Sequence, residues 1–194
     1  MTAAGKRGSH RDERAGHRDA APVLGVDVGG VIIARVAAGA DTSFFGSQPL
    51  TTPAVEGVFA TLALLTAEPF GQRVHLVSTA GPRVARNTRA WLHHHEFFRR
   101  TGIPATHLHF VRKRADKAPV CTGLGITHFI DDHLDVLEHL TTVSHRYLFL
   151  GGLGDAPAPA ETPPWATVAD TWTELAVAIR NSPPVAPDTP APAP

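Results

Sequence analysis

The first apolar run of this sequence contains an aspartate that is closely followed by two glycines. Asp27 lies inside the run Val23 to Ile33 and is followed closely by Gly29 and Gly30. Glycines permit unusual backbone angles and add no side-chain bulk, so the Asp27 carboxylate can approach a ligand closely. Asp27 is therefore a candidate nucleophile or metal ligand, with a turn or capping aspartate as the structural alternative.

A second acidic feature follows a later apolar run. Asp131 and Asp132 come directly after the run Ile126 to Ile130. Paired carboxylates supply the hard oxygen ligands that Mg²⁺ prefers. Acids at this position can also act only on the dipole of a following helix. The pair is a candidate Mg²⁺ site.

Groups suited to an anion complete the set of candidates. Ser78 or Thr79 can donate a hydroxyl to a phosphoryl oxygen, although either can also cap the next helix. The Lys117 ammonium can neutralise a phosphate or keep Asp27 ionised, with a solvated surface lysine as the alternative. The backbone of Gly30 is a further candidate phosphate contact.

Apolar runs and helical patterns alternate along the chain. The pattern predicts a buried strand that enters a tight loop within Val23 to Ile33, and further strands at Val74 to Val77, Thr106 to Val111, Ile126 to Ile130 and Tyr147 to Leu150. It predicts helices from Thr52 to Ala67, Gly81 to Arg100, Asp116 to Leu124, His133 to Leu140 and Thr171 to Ile179. The fold class is therefore α/β, a three-layer Rossmann-like parallel sheet of about five strands with helices on both faces.

Ligands of such sheets bind beyond the carboxyl ends of the strands. Asp27 to Gly30, Ser78-Thr79 and Asp131-Asp132 all fall at predicted strand ends. We therefore expect these segments to meet at one edge of the sheet.

The order of these segments resembles the four motifs of the haloacid dehalogenase superfamily, over about Val23 to Leu140. The most specific part is KAPVCTGLGITHFIDDHLDVL, in which lysine, helix, strand and double aspartate follow at the spacing of that family. The stretch GVDVGGVI also resembles the start of actin-like-ATPase sugar kinases. Those enzymes are two-lobed and much longer, and they do not account for the later motifs.

The resemblance implies Mg²⁺-dependent phosphoryl transfer through an aspartyl-phosphate on Asp27. Mg²⁺ would be held by Asp27, the backbone carbonyl of Gly29, and the pair Asp131 and Asp132, with Asp132 as the more direct ligand of that pair. Ser78 and Lys117 would bind the transferring oxygens. The expected partner is a phosphorylated small molecule or macromolecule.

Gly29 departs from the family pattern, because family phosphatases usually carry a second aspartate there as general acid and base. General acid-base catalysis contributes about 10² to 10⁴ in rate, so ordinary phosphomonoesters should be hydrolysed slowly. Either the enzyme needs a good leaving group or it recruits another acid such as His133. The alternative is a catalytically inactive binding or regulatory domain of the same fold.

The lengths of the connections predict no large cap domain, and capless members of the family tend to have open sites. Residues 22–181 are expected to form the domain. The charge-mixed residues 1–21 and the Pro/Ala-rich residues 182–194 are expected to be disordered tails.

Composition narrows the setting in which the chain works. Its 18 basic and 18 acidic residues give a formal charge of zero, which argues against nucleic acid as a partner. No apolar stretch is long enough to cross a membrane, and the first twenty residues contain no signal-peptide pattern. Cys121 is the only cysteine, which excludes an intramolecular disulfide. A cytoplasmic location is expected, and the sequence carries no indication of oligomeric state.

Overall fold

A six-stranded parallel sheet forms the centre of the protein in a computed structural model, which describes residues 21–35, 48–152 and 161–185. The strands are β1 (Leu24–Val26), β2 (Val74–Thr79), β3 (Leu108–Val111), β4 (His128–Asp131), β5 (His145–Phe149) and β6 (Ala166–Ala169). The helices are α1 (Val58–Ala67), α2 (Pro82–His94), α3 (Phe97–Thr101), α4 (Lys117–Gly123), α5 (Leu134–His139) and α6 (Trp172–Arg180). Short 3₁₀ turns lie at 49–51, 105–107 and 114–116.

The strand order is β3-β2-β1-β4-β5-β6, which places β1 near the middle of the sheet. All three residues of β1 are buried, and β1 pairs with β2 on one side and with β4 on the other. Successive side chains of a strand point to opposite faces, so a strand covered on both faces needs apolar residues throughout. The short apolar β1 therefore suits this central position.

Helices cover both faces of the sheet. One buried cluster joins apolar side chains of α1, α2, α3 and α6 to the sheet, with Trp91 and Trp172 among its largest members. The other cluster packs residues of α4 and α5 against the opposite face, around Cys121, Phe129 and Leu137. These three layers confirm the predicted α/β fold class.

Three details differ from the sequence prediction. The sheet has a sixth strand, β6 (Ala166–Ala169), which the sequence pattern does not predict. The long helix expected from Gly81 to Arg100 is two helices, because Glu96 adopts a left-handed backbone with φ of 52°. Helix α1 begins at Val58 rather than near Thr52.

The chain turns sharply after β1, and this turn positions the candidate site. Gly30 N donates to Ile33 O at 2.8 Å, and Ile33 N donates to Val28 O at 2.9 Å. Gly30 has φ of 82°, a conformation that glycine adopts without steric cost. The turn holds Asp27 at the carboxyl end of β1.

Several predictions concern residues outside the described ranges. The predicted tails lie there almost entirely, although Ser182 and Pro183 do contact the domain through hydrogen bonds from or to His128 and His145. Residues 36–47, in the connection where a cap can be inserted, are also outside them, so the absence of a large cap stays a prediction. No helix in the described ranges is long and apolar enough to cross a membrane.

Candidate functional site

Two carboxylates lie side by side where β1 and β4 end. The two strands pair in parallel up to Val26 and Ile130, and Asp27 N donates to Ile130 O at 2.9 Å. Asp27 and Asp131 therefore follow as the next pair across the two strands, and both are buried. The apolar strands thus bring two acids together in a place where water cannot screen them.

Lys117, the first residue of α4, lies between these carboxylates. Its Nζ donates to Asp27 Oδ1 at 2.7 Å and to Asp131 Oδ2 at 2.7 Å. The lysine is only 2% exposed. Upstream, Asp116 accepts a hydrogen bond from Lys113 N and tightens the turn that leads into α4. Burying three ionisable groups is tolerable here because each charge has a partner within hydrogen-bond distance.

The electrostatic environment distinguishes the two acids. Burial raises the pKa of Asp27 to about 7, against the opposing effect of Lys117 and with added repulsion from Asp131 and Asp132. Burial also acts to raise the pKa of Asp131, but Lys117 and His133 outweigh it and hold that pKa below its usual value. Burial favours neutral Lys117, yet Asp131 and Asp27 keep its pKa above the usual value. Asp131 and Lys117 are thus a firm ion pair, whereas Asp27 is the carboxylate whose charge is least compensated.

Asp132 lies beside this pair and contacts two other cationic groups. Its Oδ1 is 2.6 Å from His133 Nδ1, and its Oδ2 is 2.6 Å from Arg35 Nη2. Arg35 Nη2 also lies 3.0 Å from His133 Nε2. Hydrogen bonds with Asp131 and Asp132 raise the pKa of His133 to about 9. Both ring nitrogens of His133 are therefore in contact with the site's own charged groups.

The contact between Arg35 and Asp132 is close but poorly directed. Although the two atoms are within ion-pair distance, Asp132 Oδ2 is buried and has no hydrogen bond of acceptable geometry from the described residues. At 2.6 Å the guanidinium is close enough to balance the carboxylate charge, but its N–H groups are not directed at the oxygen, so the hydrogen bond is weak. Asp132 Oδ2 is therefore neutralised by Arg35 without being well bound.

Gly30 makes room for this arrangement. A Cβ placed on Gly30 would lie 1.9 Å from Asp132 Oδ2 and 3.0 Å from Arg35 Nε. Gly152 packs against the same turn, since a Cβ there would lie 1.7 Å from Gly30 O. The phosphate contact of Gly30 stays a prediction, and its neighbours in the structure include Asp132, Arg35 and Gly152.

Gly29 differs from Gly30 in its backbone. It is not among the glycines with positive φ, so a side chain at this position requires no left-handed conformation. The hydrogen bonds of the turn use Val28 O and Gly30 N, and the Gly29 carbonyl takes part in neither. That carbonyl oxygen is therefore available as a metal ligand.

The two hydroxyl candidates end β2, the strand next to β1. Ser78 is 2% exposed and Thr79 is partly buried. Thr79 Oγ1 is shielded from solvent and has no hydrogen-bond partner within the described ranges. Both residues lie at the expected edge of the sheet, and the choice between them as the phosphate-binding hydroxyl stays open.

The side chains gathered here offer the kind of ligand atoms that a hard divalent cation binds. Atoms of Asp131, Asp132 and His133 lie within 4.8 Å of one another, and Asp27 is joined to Asp131 through Lys117. The buried Oδ2 of Asp132 is the strongest indication, because a carboxylate oxygen without a directed donor is what a cation would bind. The residues therefore fit Mg²⁺, with Arg35 as the group that a cation would meet at Asp132.

Most of this cluster follows from the sequence, but Arg35 does not. The structure brings together Asp27, Lys117, Asp131 and Asp132, as their positions at strand ends and at the start of α4 indicate. Arg35 belongs to no motif and lies beyond the turn, so only the fold of that turn brings it back to Asp132. The nearest sequence signal is its cationic charge shortly after a glycine-rich loop.

Comparison with known proteins supports the fold and goes no further. No family model matches the chain, and no curated protein matches it. A similar solved structure is the crystal structure of D,D-heptose 1,7-bisphosphate phosphatase from Burkholderia thailandensis, with a TM-score of 0.52 and 14% identity. The match covers 83% of this chain and 99% of that one. At this identity the likeness shows a shared α/β fold alone and leaves the activity to the residues of the site.

Proposed function

We propose that this protein is a Mg²⁺-dependent phosphatase or phosphotransferase of the haloacid dehalogenase type, acting through an aspartyl-phosphate on Asp27. The observation that carries the proposal is the Lys117 ammonium held between Asp27 and Asp131 at the carboxyl ends of two central strands. The fold shared with a phosphatase supports it. An ion pair that only stabilised the fold would not require Gly30 and Asp132 to pack closely at the same end of the sheet.

Asp27 would be the nucleophile. Lys117 binds its Oδ1, which leaves Oδ2 to form the bond to phosphorus while the bond between phosphorus and the leaving oxygen breaks. Water then hydrolyses the aspartyl-phosphate in a phosphatase, or an acceptor hydroxyl takes the phosphoryl group in a phosphotransferase. The first step starts from an ionised Asp27, which Lys117 favours, and the second step releases that carboxylate again.

The other residues would bind the transferring group and the metal. Asp27, the Gly29 carbonyl, Asp131 and Asp132 would hold Mg²⁺, whose positive charge would balance the phosphoryl oxygens. Lys117 and a hydroxyl from Ser78 or Thr79 would contact those oxygens. Fixed donors aimed at developing charge are usually the largest contribution to such catalysis.

Gly29 sets the expected limit on substrates. It offers no carboxyl group to protonate the leaving oxygen, and His133 has both ring nitrogens in contact with Asp132 and Arg35. Esters with good leaving groups need little protonation and should react. Alkyl phosphates need it and should react about 10² to 10⁴ times more slowly than with a family acid in place.

The test compares an aryl ester, p-nitrophenyl phosphate, with an alkyl ester, glycerol 3-phosphate, in Mg²⁺ and in EDTA. We expect Mg²⁺-dependent turnover of the aryl ester that Asp27→Asn abolishes and that Asp170→Asn, an exposed matched control, does not. Gly29→Asp, which the backbone can accommodate, should raise alkyl ester turnover by about 10² or more.

Two results would count against the proposal. Rapid turnover of glycerol 3-phosphate by the unmodified protein would contradict the role given to Gly29. Mg²⁺ binding without Asp27-dependent turnover of any ester would instead favour the catalytically inactive binding domain.

A further inference from the structure

The buried carboxylates of the site need counter-ions when no metal is bound. Lys117 forms ion pairs with Asp27 and Asp131, and within the described ranges no ion pair joins it to Asp132. The side chain of Asp132 is fully buried, so its charge requires compensation from another group. Arg35 and His133 supply that compensation, one at each carboxylate oxygen.

Arg35 is suited to be a removable counter-ion. Its side chain is 32% exposed, so the guanidinium can move into water without crossing packed side chains. Its bond to Asp132 Oδ2 lacks the directed geometry of a strong hydrogen bond. By contrast, Lys117 is 2% exposed, with a hydrogen bond to each of two acids. Of these cations, Arg35 is held least firmly.

Arg35 also lies at the oxygen that a divalent cation would use. A Cβ at Gly30 would lie 1.9 Å from Asp132 Oδ2 and 3.0 Å from Arg35 Nε, so all three crowd one small space. A guanidinium nitrogen 2.6 Å from a carboxylate oxygen occupies the direction from which a metal would approach that oxygen. The two cations cannot both contact Oδ2 there.

We propose that the Arg35 guanidinium is the resident counter-ion of Asp132 and must leave before Mg²⁺ binds, so that Arg35 sets the Mg²⁺ affinity of the site. This inference rests on the metal site of the proposed function. It makes Arg35 a positioning residue of the metal-free state.

The test is calorimetric titration of MgCl₂ into the full chain without any phosphate ester, in unmodified protein, Arg35→Gln, Arg35→Lys and Arg99→Gln. A partly exposed ion pair contributes up to about 1 kcal/mol, which corresponds to about a fivefold change in affinity. Arg35→Gln should therefore bind Mg²⁺ about five times more tightly. Arg35→Lys keeps the charge and should stay close to the unmodified protein. Arg99→Gln removes a cation from an exposed pair with Glu96 and should change nothing.

A second readout protects the test against an unstable variant. Arg35→Gln leaves Asp132 without its counter-ion, so its Tm in EDTA should fall. Added Mg²⁺ should then raise its Tm by more than that of the unmodified protein, because a ligand of the folded state at free concentration L stabilises by RT ln(1 + L/Kd), which increases as Kd falls.

The outcomes separate this inference from the proposed function. An Arg35→Gln affinity equal to that of Arg99→Gln, or weaker, overturns the role of Arg35 whatever the turnover. The absence of Mg²⁺ binding in every variant overturns it as well. Tighter binding by Arg35→Gln supports it even if no ester is hydrolysed, a result that would contradict only the proposed activity.

Discussion

Removing the Lys117 ammonium should destabilise the protein more than any other single charge change at the site. Lys117→Met keeps most of the apolar stem and deletes the charge that Asp27 and Asp131 share. At 2.7 Å and an effective dielectric constant of 20, each attraction amounts to about 6 kcal/mol before desolvation is counted. The desolvation of a buried ammonium offsets several kcal/mol of that.

The two acids should respond differently to this loss. The pKa of Asp27 is raised to about 7 by burial even with Lys117 present, so without it Asp27 becomes protonated at pH 7 at little further cost. Asp131, whose pKa is held low with the help of Lys117, keeps its charge and loses its partner. The expected loss is therefore about 3 to 4 kcal/mol, the range for breaking one buried pair.

Urea unfolding at pH 7 in EDTA measures this loss, with Lys113→Met as the control because that lysine is exposed. The control should lie within about 0.5 kcal/mol of the unmodified protein. In the Lys117→Met background, Asp131→Asn should restore more stability than Asp27→Asn does. If Lys117→Met costs less than about 1 kcal/mol, or if Asp27→Asn restores more, the assignment of charge at the site is wrong.

Three further substitutions test separate parts of the structure. Gly30→Ala forces a side chain into a backbone with φ of 82° and against Asp132. It should therefore lower the stability by about 1 to 3 kcal/mol in thermal unfolding. A cost no larger than that of Gly29→Ala would contradict the packing described for the turn. Burial and His145 lower the pKa of His128 to about 4, so the unfolded chain takes up its proton first and stability is lost as the pH falls from about 6.5 towards 4. His128→Gln should therefore lose about 2 kcal/mol less than the unmodified protein over that range in urea titrations, and parallel profiles would refute this. Thr171→Ala removes the hydroxyl that accepts a hydrogen bond from Glu174 N at the start of α6 and keeps the backbone N that donates to Glu174. It should cost about 1 kcal/mol by urea unfolding, whereas an unchanged midpoint would show that this cap contributes nothing.

The layered fold could be predicted because its signals are local. β1 and β4 are short buried runs, and the acids that end them stand out against apolar neighbours. The carboxyl ends of parallel strands share one edge of the sheet, so the convergence of Asp27, Asp131 and Lys117 follows from the alternation of strands and helices.

The missed features depend on contacts between distant segments. Glu96 breaks the long helix in a stretch with no glycine or proline, where His95 contacts Leu50 O and Phe97 enters the core. β6 has only four residues and lies at an edge of the sheet. Its two middle residues are exposed, so it contains no buried apolar run. Secondary-structure propensity predicts neither the helix break at Glu96 nor the strand β6, because tertiary packing determines both.

The same reasoning explains why the motifs alone give an incomplete picture of the site. The resemblance presents Gly29 only as the absence of a catalytic acid, but an aspartate at this position would also add a fourth negative charge next to Asp27, Asp131 and Asp132. These three acids face Lys117, Arg35 and His133, whose pKa is raised to about 9. With Asp at position 29 these cations would no longer balance the acids, and the added charge would favour a divalent cation over Arg35. In the proposed function, Gly29 would limit acid catalysis and Arg35 would limit metal binding, and both roles depend on the same balance of charge.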